Sequence, residues 1–314
     1  MAQSAASGTP KPIVCLPDAP ERRSMGALPG VEVVLAPEHG PQPDLARVDL
    51  VVPAGWMRQA VYAGLAAHGR LRVIQTLSAG VDWLVGRVPE HVTVCNARGV
   101  YDTPLAEWIV GAILAVERGL ALARDAQTRR EWASFEPSEL AGRRVVILGY
   151  GSIGSTVARR LVPFEVDVVG VARTARDDAL GLGDLDGILP TAEVLVDLLP
   201  LTGETAGFLD ARRLALLPDG ALVVNAGRGK TLDTTALLVE LERGRLRAAL
   251  DVTDPEPLPA EHPLWELPNV LITPHIAGDS PQATVRAFRL AGDQIRRFAA
   301  GEPLRNQVPR YQLA

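Results

Sequence analysis

Three short polar segments follow apolar runs in the second half of the chain. They read Asn225-Ala226-Gly227-Arg228-Gly229, Asp251-Val252-Thr253-Asp254-Pro255-Glu256-Pro257 and Thr273-Pro274-His275-Ile276-Ala277-Gly278. Arg228 offers a planar guanidinium fork that suits a carboxylate together with an adjacent carbonyl oxygen. His275 offers an imidazole, which titrates near neutral pH and can give a proton to an alkoxide left by hydride addition. Glu256 beside that ring would favour the imidazolium and fix its orientation. Asp251 could accept a hydrogen bond from a nicotinamide carboxamide and orient the ring. Taken singly, each of these residues is equally a surface or structural group. Their order after a nucleotide-type turn is what favours hydride chemistry on a 2-keto or 2-hydroxy acid.

That turn is Gly149-Tyr150-Gly151-Ser152-Ile153-Gly154. It follows the apolar run 145–148 and opens a helical pattern with Ile153, Val157 and Leu161 on one face. This is the context that a dinucleotide fingerprint requires. Gly149 permits the tight turn, Gly151 lets the backbone approach a pyrophosphate, and Gly154 lets helix and strand pack closely. The free amides and positive helix end attract phosphate. The next apolar run, 166–171, ends without the acidic residue that would hold the adenine ribose hydroxyls of NAD. Arg173, helped by Thr174 and Arg176, stands there and suits a 2′-phosphate. The expectation is therefore NADP(H), with NAD(H) as the alternative.

Such side chains need a scaffold that ends several strands on one edge. Short β-branched runs bounded by Pro or Gly occur at 13–16, 31–35, 50–52, 72–77 and 92–95. A second series occurs at 145–148, 166–171, 194–198, 222–225, 248–252 and 270–273. Helix-length stretches such as 57–68 lie between them. This alternation predicts an α/β fold of two doubly wound parallel sheets. A long helix with Thr103 as its cap and Pro104 in its first turn separates the two series. Ser280 and Pro281 open a final helix in which Val285, Phe288, Ile295 and Phe298 share a face. It could pack back on the first sheet. The expected division is 1–101 with 283–314, and 102–282.

Composition narrows the class. The 314 residues are 47% apolar with a net charge of −5, enough for real cores. No basic stripe suggests nucleic acid, and no apolar run is long enough to span a bilayer. Cys15 and Cys95 have neither ligand nor disulfide spacing, so no metal is expected and a reducing cytoplasm is the default. Residues 1–10 lack the pattern of a signal peptide and read as disordered.

Across almost all of the chain after about residue 12, these segments resemble the D-isomer-specific 2-hydroxyacid dehydrogenase family. That family includes glyoxylate/hydroxypyruvate reductases, phosphoglycerate dehydrogenases and formate dehydrogenases. The matching segments are Leu77-Ser78-Ala79-Gly80-Val81-Asp82, Asn96 with Gly99, Ala106-Glu107, the glycine turn, Leu199-Pro200-Leu201-Thr202 with Thr205, and the three polar segments. The resemblance implies a Rossmann cofactor domain inserted into a flavodoxin-like substrate domain, an interdomain active site and a homodimer. It implies that Arg228 binds substrate and that Glu256 with His275 forms the acid/base pair. It also implies that amides around Ser78, Ala79 and Gly80 hold the substrate carboxylate, and that Pro200, Thr205, Asn225, Ala226, Gly227 and Gly278 line the dinucleotide. Glu165 stands where many relatives place a helix-ending glycine. Tyr101 and Trp83 read either as substrate-access residues or as packing. No regulatory domain is read after residue 314, which points away from the long, allosteric phosphoglycerate dehydrogenases. Two other readings stay open: NAD-linked oxidation of another small acid such as phosphite or phosphoglycerate, and a dinucleotide-sensing protein of the corepressor kind.

Overall fold

The computed structural model describes residues 10–67 and 69–313. The disorder expected of residues 1–9 and the expected helix end at His68 therefore lie outside the described residues. Two compact units form. One runs to Val100 and resumes at Ser280; the other spans Tyr101–Asp279.

In the first unit the strands are β1 (Ile13–Pro17), β2 (Glu32–Ala36), β3 (Leu50–Val51), β4 (Val73–Gln75) and β5 (Thr93–Cys95), with helix α1 (Arg58–Ala66) between β3 and β4. The second unit contains α2 (Asp102–Glu117), α3 (Leu120–Arg129), β6 (Arg144–Leu148), α4 (Ser152–Leu161), β7 (Asp167–Ala172), β8 (Leu180–Gly181) and α5 (Leu185–Ile188). It continues with β9 (Val194–Asp197), α6 (Ala211–Leu216), β10 (Leu222–Asn225), α7 (Thr234–Glu242), β11 (Arg247–Leu250) and β12 (Val270–Ile272). Helix α8 (Pro281–Ala300) belongs to the first unit.

The first sheet is parallel, in the order β2-β1-β3-β4-β5. Alternate residues of β1 serve opposite faces, as the two-residue period of a strand demands. Val14 and Leu16 meet Phe288, Ala291 and Ile295 of α8, whereas Cys15 joins Val61 and Leu65 of α1. Ser280 caps α8 by accepting the Ala283 amide at 3.0 Å, and Pro281 fills its first turn.

The second sheet is also parallel, in the order β12-β11-β10-β9-β6-β7-β8. Val145 and Ile147 of β6 pack with α2 and α4 on one face, and Val146 and Leu148 join the core of the other. The strand order reverses between β6 and β9. In open α/β sheets such a reversal opens a crevice outside the carboxyl ends of the strands. Leu148, Asp197, Asn225, Leu250 and Ile272 lie in one register row, so the connections leaving β6, β9, β10, β11 and β12 share that edge.

Helix α2 corrects the sequence expectation about its start. It begins at Asp102, with Tyr101 as N-cap and no side-chain cap, so Thr103 sits inside the first turn. Asp102 suits the positive end of the helix and accepts the hydroxyl of Ser152. No helix among the described residues is long and apolar enough to cross a membrane.

Candidate active site

The glycine turn follows β6 directly. Gly149 has φ +90, and a Cβ there would lie 2.7 Å from the backbone of Leu198. Only glycine fits both the conformation and the gap. A Cβ on Gly154 would lie 3.0 Å from Gly149 O and 3.2 Å from Ile147, which keeps α4 tight on β6. At Gly151 a Cβ would project into open space, with only Gly149 O at 4.0 Å. The first i→i−4 amide of the turn is Ser155, donating to Gly151 O at 3.0 Å; the amides of Ser152, Ile153 and Gly154 precede it. A backbone open to approach, beside helix-start amides, fits a dinucleotide pyrophosphate.

The side chains of this turn behave differently from its backbone. Tyr150 donates its amide to Val171 O at 2.9 Å, its ring lies against Gly170, and the Arg176 guanidinium lies 5.7 Å from the ring centroid. The ring is thus packed on β7, and the amide is already bonded. Any part of Tyr150 in holding a cofactor would therefore fall to the rest of its part-exposed side chain. Ser152 is similarly turned to Asp102. Arg173 and Thr174 are exposed just past β7, and Arg173 pairs with Glu204 at 3.1 Å. Glu204 belongs to the turn after β9, which Thr205 closes by donating to Pro200 O at 2.6 Å and accepting the Thr202 amide at 2.8 Å.

On the same edge, the ends of β10, β11 and β12 bring Arg228, Glu256 and His275 into neighbouring connections. After β10, Asn225 is buried and shapes the turn. Its Oδ1 accepts the Gly227 amide at 3.0 Å, and its Nδ2 donates to Arg228 O at 3.1 Å. Ala226 and Gly227 are buried, and a Cβ on Gly227 would lie 3.0 Å from Leu199 O. Arg228 is half-buried and donates to Gly227 O at 2.7 Å. A Cβ on Gly229 would lie 1.9 Å from Thr253 O. The Arg228 turn is therefore locked against the segment that leads to Glu256.

His275 Nδ1 and Glu256 Oε1 are 2.5 Å apart. That contact fixes the ring and leaves Nε2 as the nitrogen available to a substrate. His275 itself has φ +55, a left-handed conformation that is rare for a non-glycine residue. Asp251 holds it there. Its Oδ1 accepts the Thr273 hydroxyl at 2.6 Å and the Ile276 amide at 2.9 Å, and its Oδ2 accepts the Ala277 amide at 2.9 Å. The Asp251 carbonyl accepts the His275 amide at 2.8 Å. Asp251 was expected to orient a nicotinamide. In the structure Asp251 is only 3% exposed, and its carboxylate is bonded to the turn that carries His275. Gly278 ends that segment, with the Tyr101 ring 3.4 Å from where its Cβ would lie.

In the first unit, the loop after β4 (Val73–Gln75) is tied down by its own hydrogen bonds. The carbonyls of Ser78, Ala79 and Gly80 accept from Thr76 Oγ1 and the Ala97 amide, from Asn96 Nδ2, and from Ser78 Oγ, at 2.7–2.9 Å. Across a trans peptide the carbonyl and the following amide point oppositely. The amides of Ala79, Gly80 and Val81 thus turn away from these partners, a run of donors suited to an anion. The run starts one residue after Ser78, whose own carbonyl is tied back.

Asp197 escaped the sequence reading. It is fully buried at the end of β9, accepts the Leu199 amide at 2.9 Å, and lies 2.6 Å from the Thr231 hydroxyl. Burial pushes its carboxyl up to about 6. An aspartate inside the apolar run 194–199 was the only signal. Trp83 takes the packing reading. Its ring lies 5.9 Å from that of Tyr62, whose hydroxyl donates to Trp83 O at 2.8 Å.

Residues 110–277 match the D-isomer specific 2-hydroxyacid dehydrogenase NAD binding domain. A glyoxylate reductase of Thermofilum pendens is 34% identical over 253 residues, covering 75% of this chain and 74% of the relative. The D-isomer specific 2-hydroxyacid dehydrogenase of Xanthobacter autotrophicus Py2, solved with NADPH and MES, superposes with a TM-score of 0.80 at 32% identity, covering 96% of this chain and all of that one. An NADPH-dependent glyoxylate/hydroxypyruvate reductase of Sinorhizobium meliloti, solved with NADP and sulfate, gives 0.83 at 29% identity over 97% of this chain and all of that one. The doubly wound parallel sheets, the glycine turn after β6 and these matches agree: the chain belongs to the D-isomer specific 2-hydroxyacid dehydrogenases, an NAD(P)-dependent family acting on CH–OH groups.

Proposed function

We propose that this protein reduces small 2-keto acids of the glyoxylate or hydroxypyruvate kind with NADPH. The observation that carries the reading is the shared edge of the second sheet. Arg228, the 2.5 Å Glu256–His275 pair and the glycine turn all leave strands in one register row.

The nicotinamide, when bound, supplies the hydride. Gly151, Ser152, Ile153 and Gly154 would hold the pyrophosphate through backbone amides. Pro200, Ala226 and Gly227 line the path expected of the dinucleotide, and Gly149, Thr205 and Asn225 shape the turns that present it. Arg228 binds the substrate carboxylate and keto oxygen and stabilises negative charge as it develops on that oxygen. The amides of Ala79, Gly80 and Val81 offer a carboxylate site on the first unit. His275 Nε2 gives its proton to the forming alkoxide, and Glu256 holds the ring in place. In the oxidative direction the same nitrogen takes the proton back.

NADP(H) preference rests on Arg173, Thr174 and Arg176 beyond β7, where no acidic residue occupies the strand end. Two further features belong to the reading. Leu120, Leu122, Trp132 and Phe135 are exposed apolar residues within one stretch of the second unit, and Trp132 is fully exposed. They suit a self-complementary homodimer surface. Cys15 and Cys95 are free and buried, which suits a reducing cytoplasm.

The test is NADPH and NADH oxidation, side by side, against a panel of small 2-keto acids. Turnover favouring NADPH supports the substrate class and the cofactor assignment together. Turnover favouring NADH overturns the cofactor assignment, and no turnover with either despite dinucleotide binding overturns the substrate class.

A further inference from the structure

The buried Asp197 is not used by the chemistry above, yet it lies behind the Arg228 turn. Thr231 Oγ1 is 2.6 Å from Asp197 Oδ2 and 2.6 Å from Arg228 O. Oxygen atoms this close share a proton. Two such contacts on one hydroxyl need two protons, and threonine has one to donate. The Arg228 carbonyl has none. A proton on the carboxyl group would let Thr231 accept from Asp197 and donate to the Arg228 carbonyl, which also accepts the Thr231 amide at 3.1 Å.

We propose that Asp197 is a positioning residue for Arg228 and works as a neutral carboxylic acid. It donates to Thr231, and Thr231 donates to the Arg228 carbonyl. The surroundings agree with this assignment. Asp197 is met by the Leu199 amide and the Thr231 hydroxyl, and its own carbonyl accepts the Ala226 amide at 3.2 Å. The charged members of the segments 198–202 and 225–231 are Arg228 and Lys230; the Arg228 guanidinium donates to Gly227 O, and Lys230 is exposed. Burial is the dominant influence on the carboxyl and favours its neutral form. Asn225 Nδ2 donates to the same Arg228 carbonyl, so the turn is held from both sides. The proposal rests on Arg228 as the substrate anchor.

Three variants of the full chain test it: Asp197→Asn, Asp197→Ala and Thr231→Val. An asparagine amide donates to Thr231 as the acid does, and its oxygen still accepts the Leu199 amide. Asp197→Asn should therefore keep kcat/KM for the keto acid within about threefold of the parent at pH 5, whereas Asp197→Ala and Thr231→Val should raise KM about tenfold with NADPH binding unchanged. At pH 5 the infrared difference spectrum, parent minus Asp197→Asn, should carry the carbonyl stretch of a protonated carboxylic acid. Asp197→Asn as damaging as Asp197→Ala, or no such band in the difference spectrum, would overturn the proposal. Failure of the Arg228 reading is separable: Arg228→Ala would then leave substrate KM unchanged, while the band would still be present.

Discussion

The turns after β10 and β12 are both held by a buried aspartate, and the two are held differently. Behind His275, Asp251 accepts three hydrogen bonds, from the Thr273 hydroxyl and the amides of Ile276 and Ala277. Each donor has its own proton to give. Behind Arg228, Asp197 has the Leu199 amide and a hydroxyl whose single proton is wanted by a second acceptor. The backbones differ as well. Arg228 is extended, at φ −142 and ψ 135, whereas His275 is left-handed. A left-handed non-glycine residue costs about 1–2 kcal/mol, which the three bonds of Asp251 offset. The same side chain on the same sheet edge thus serves as a strain-bearing acceptor in one turn and a proton donor in the other. The inventory of neighbouring donors decides which.

The largest expected effect tests what each turn presents. Arg228→Ala should lower kcat/KM for the keto acid about 10³-fold, with NADPH affinity nearly unchanged; steady-state kinetics with a binding titration measures both. Next comes the contrast between the aspartates. Asp251→Asn puts an amide where an acceptor is needed and leaves a buried donor unpaired, at about 1–3 kcal/mol. A lowered Tm and a lower kcat with intact NADPH binding would match a role on the His275 turn. Weaker NADPH binding with an unchanged Tm would restore the nicotinamide contact for Asp251.

pH sharpens the contrast at Asp197. Its folded pKa, about 6, lies above its ordinary value of 3.8. Between those values the folded chain holds a proton that the unfolded chain has lost. Stability from this group is therefore greatest below the lower value and falls as pH rises toward the upper one. Asp197→Asn removes that loss. It should stabilise the fold relative to the parent more at pH 7 than at pH 4, by about 2–3 kcal/mol of unfolding free energy, seen as a larger rise in Tm at pH 7. Equal shifts at both pH values would contradict the raised pKa.

The smallest effect concerns Glu165, which has φ +58, close to the +55 of His275. It ends the helical turn after α4, and no element of the site depends on its side chain. Glu165→Gly should stabilise by about 0.5–1 kcal/mol with activity unchanged, seen as a small rise in Tm. A loss of activity would mean that this turn communicates with the glycine loop.

Much of this was legible because glycine and strand-end positions obey hard constraints. Gly149 and Gly154 are where close backbone approach excludes a Cβ, and a single sequence shows such positions directly. The parallel sheets followed from β-branched runs of the right length. Other features had no such signal. β8 is two residues long, and α3 opens at Gly119 without a side-chain cap. The start of α2 was misplaced because Thr103 is a good cap by type, yet the helix begins before it. Residue type gave Asp251 a plausible ligand, while its tertiary neighbours show a turn. Asp197 lay inside an apolar run, and its part depends on Thr231, thirty-four positions later. Hydrogen-bond partners across strands are a property of the fold and cannot be read from spacing.

The most direct test of the account compares the parent enzyme with His275→Ala in NADPH oxidation by glyoxylate and hydroxypyruvate, with NADPH binding measured on both. The account predicts turnover by the parent, a loss of about 10³-fold in the variant, and NADPH affinity within about twofold. Undiminished turnover in the variant would remove His275 from proton transfer and contradict the account.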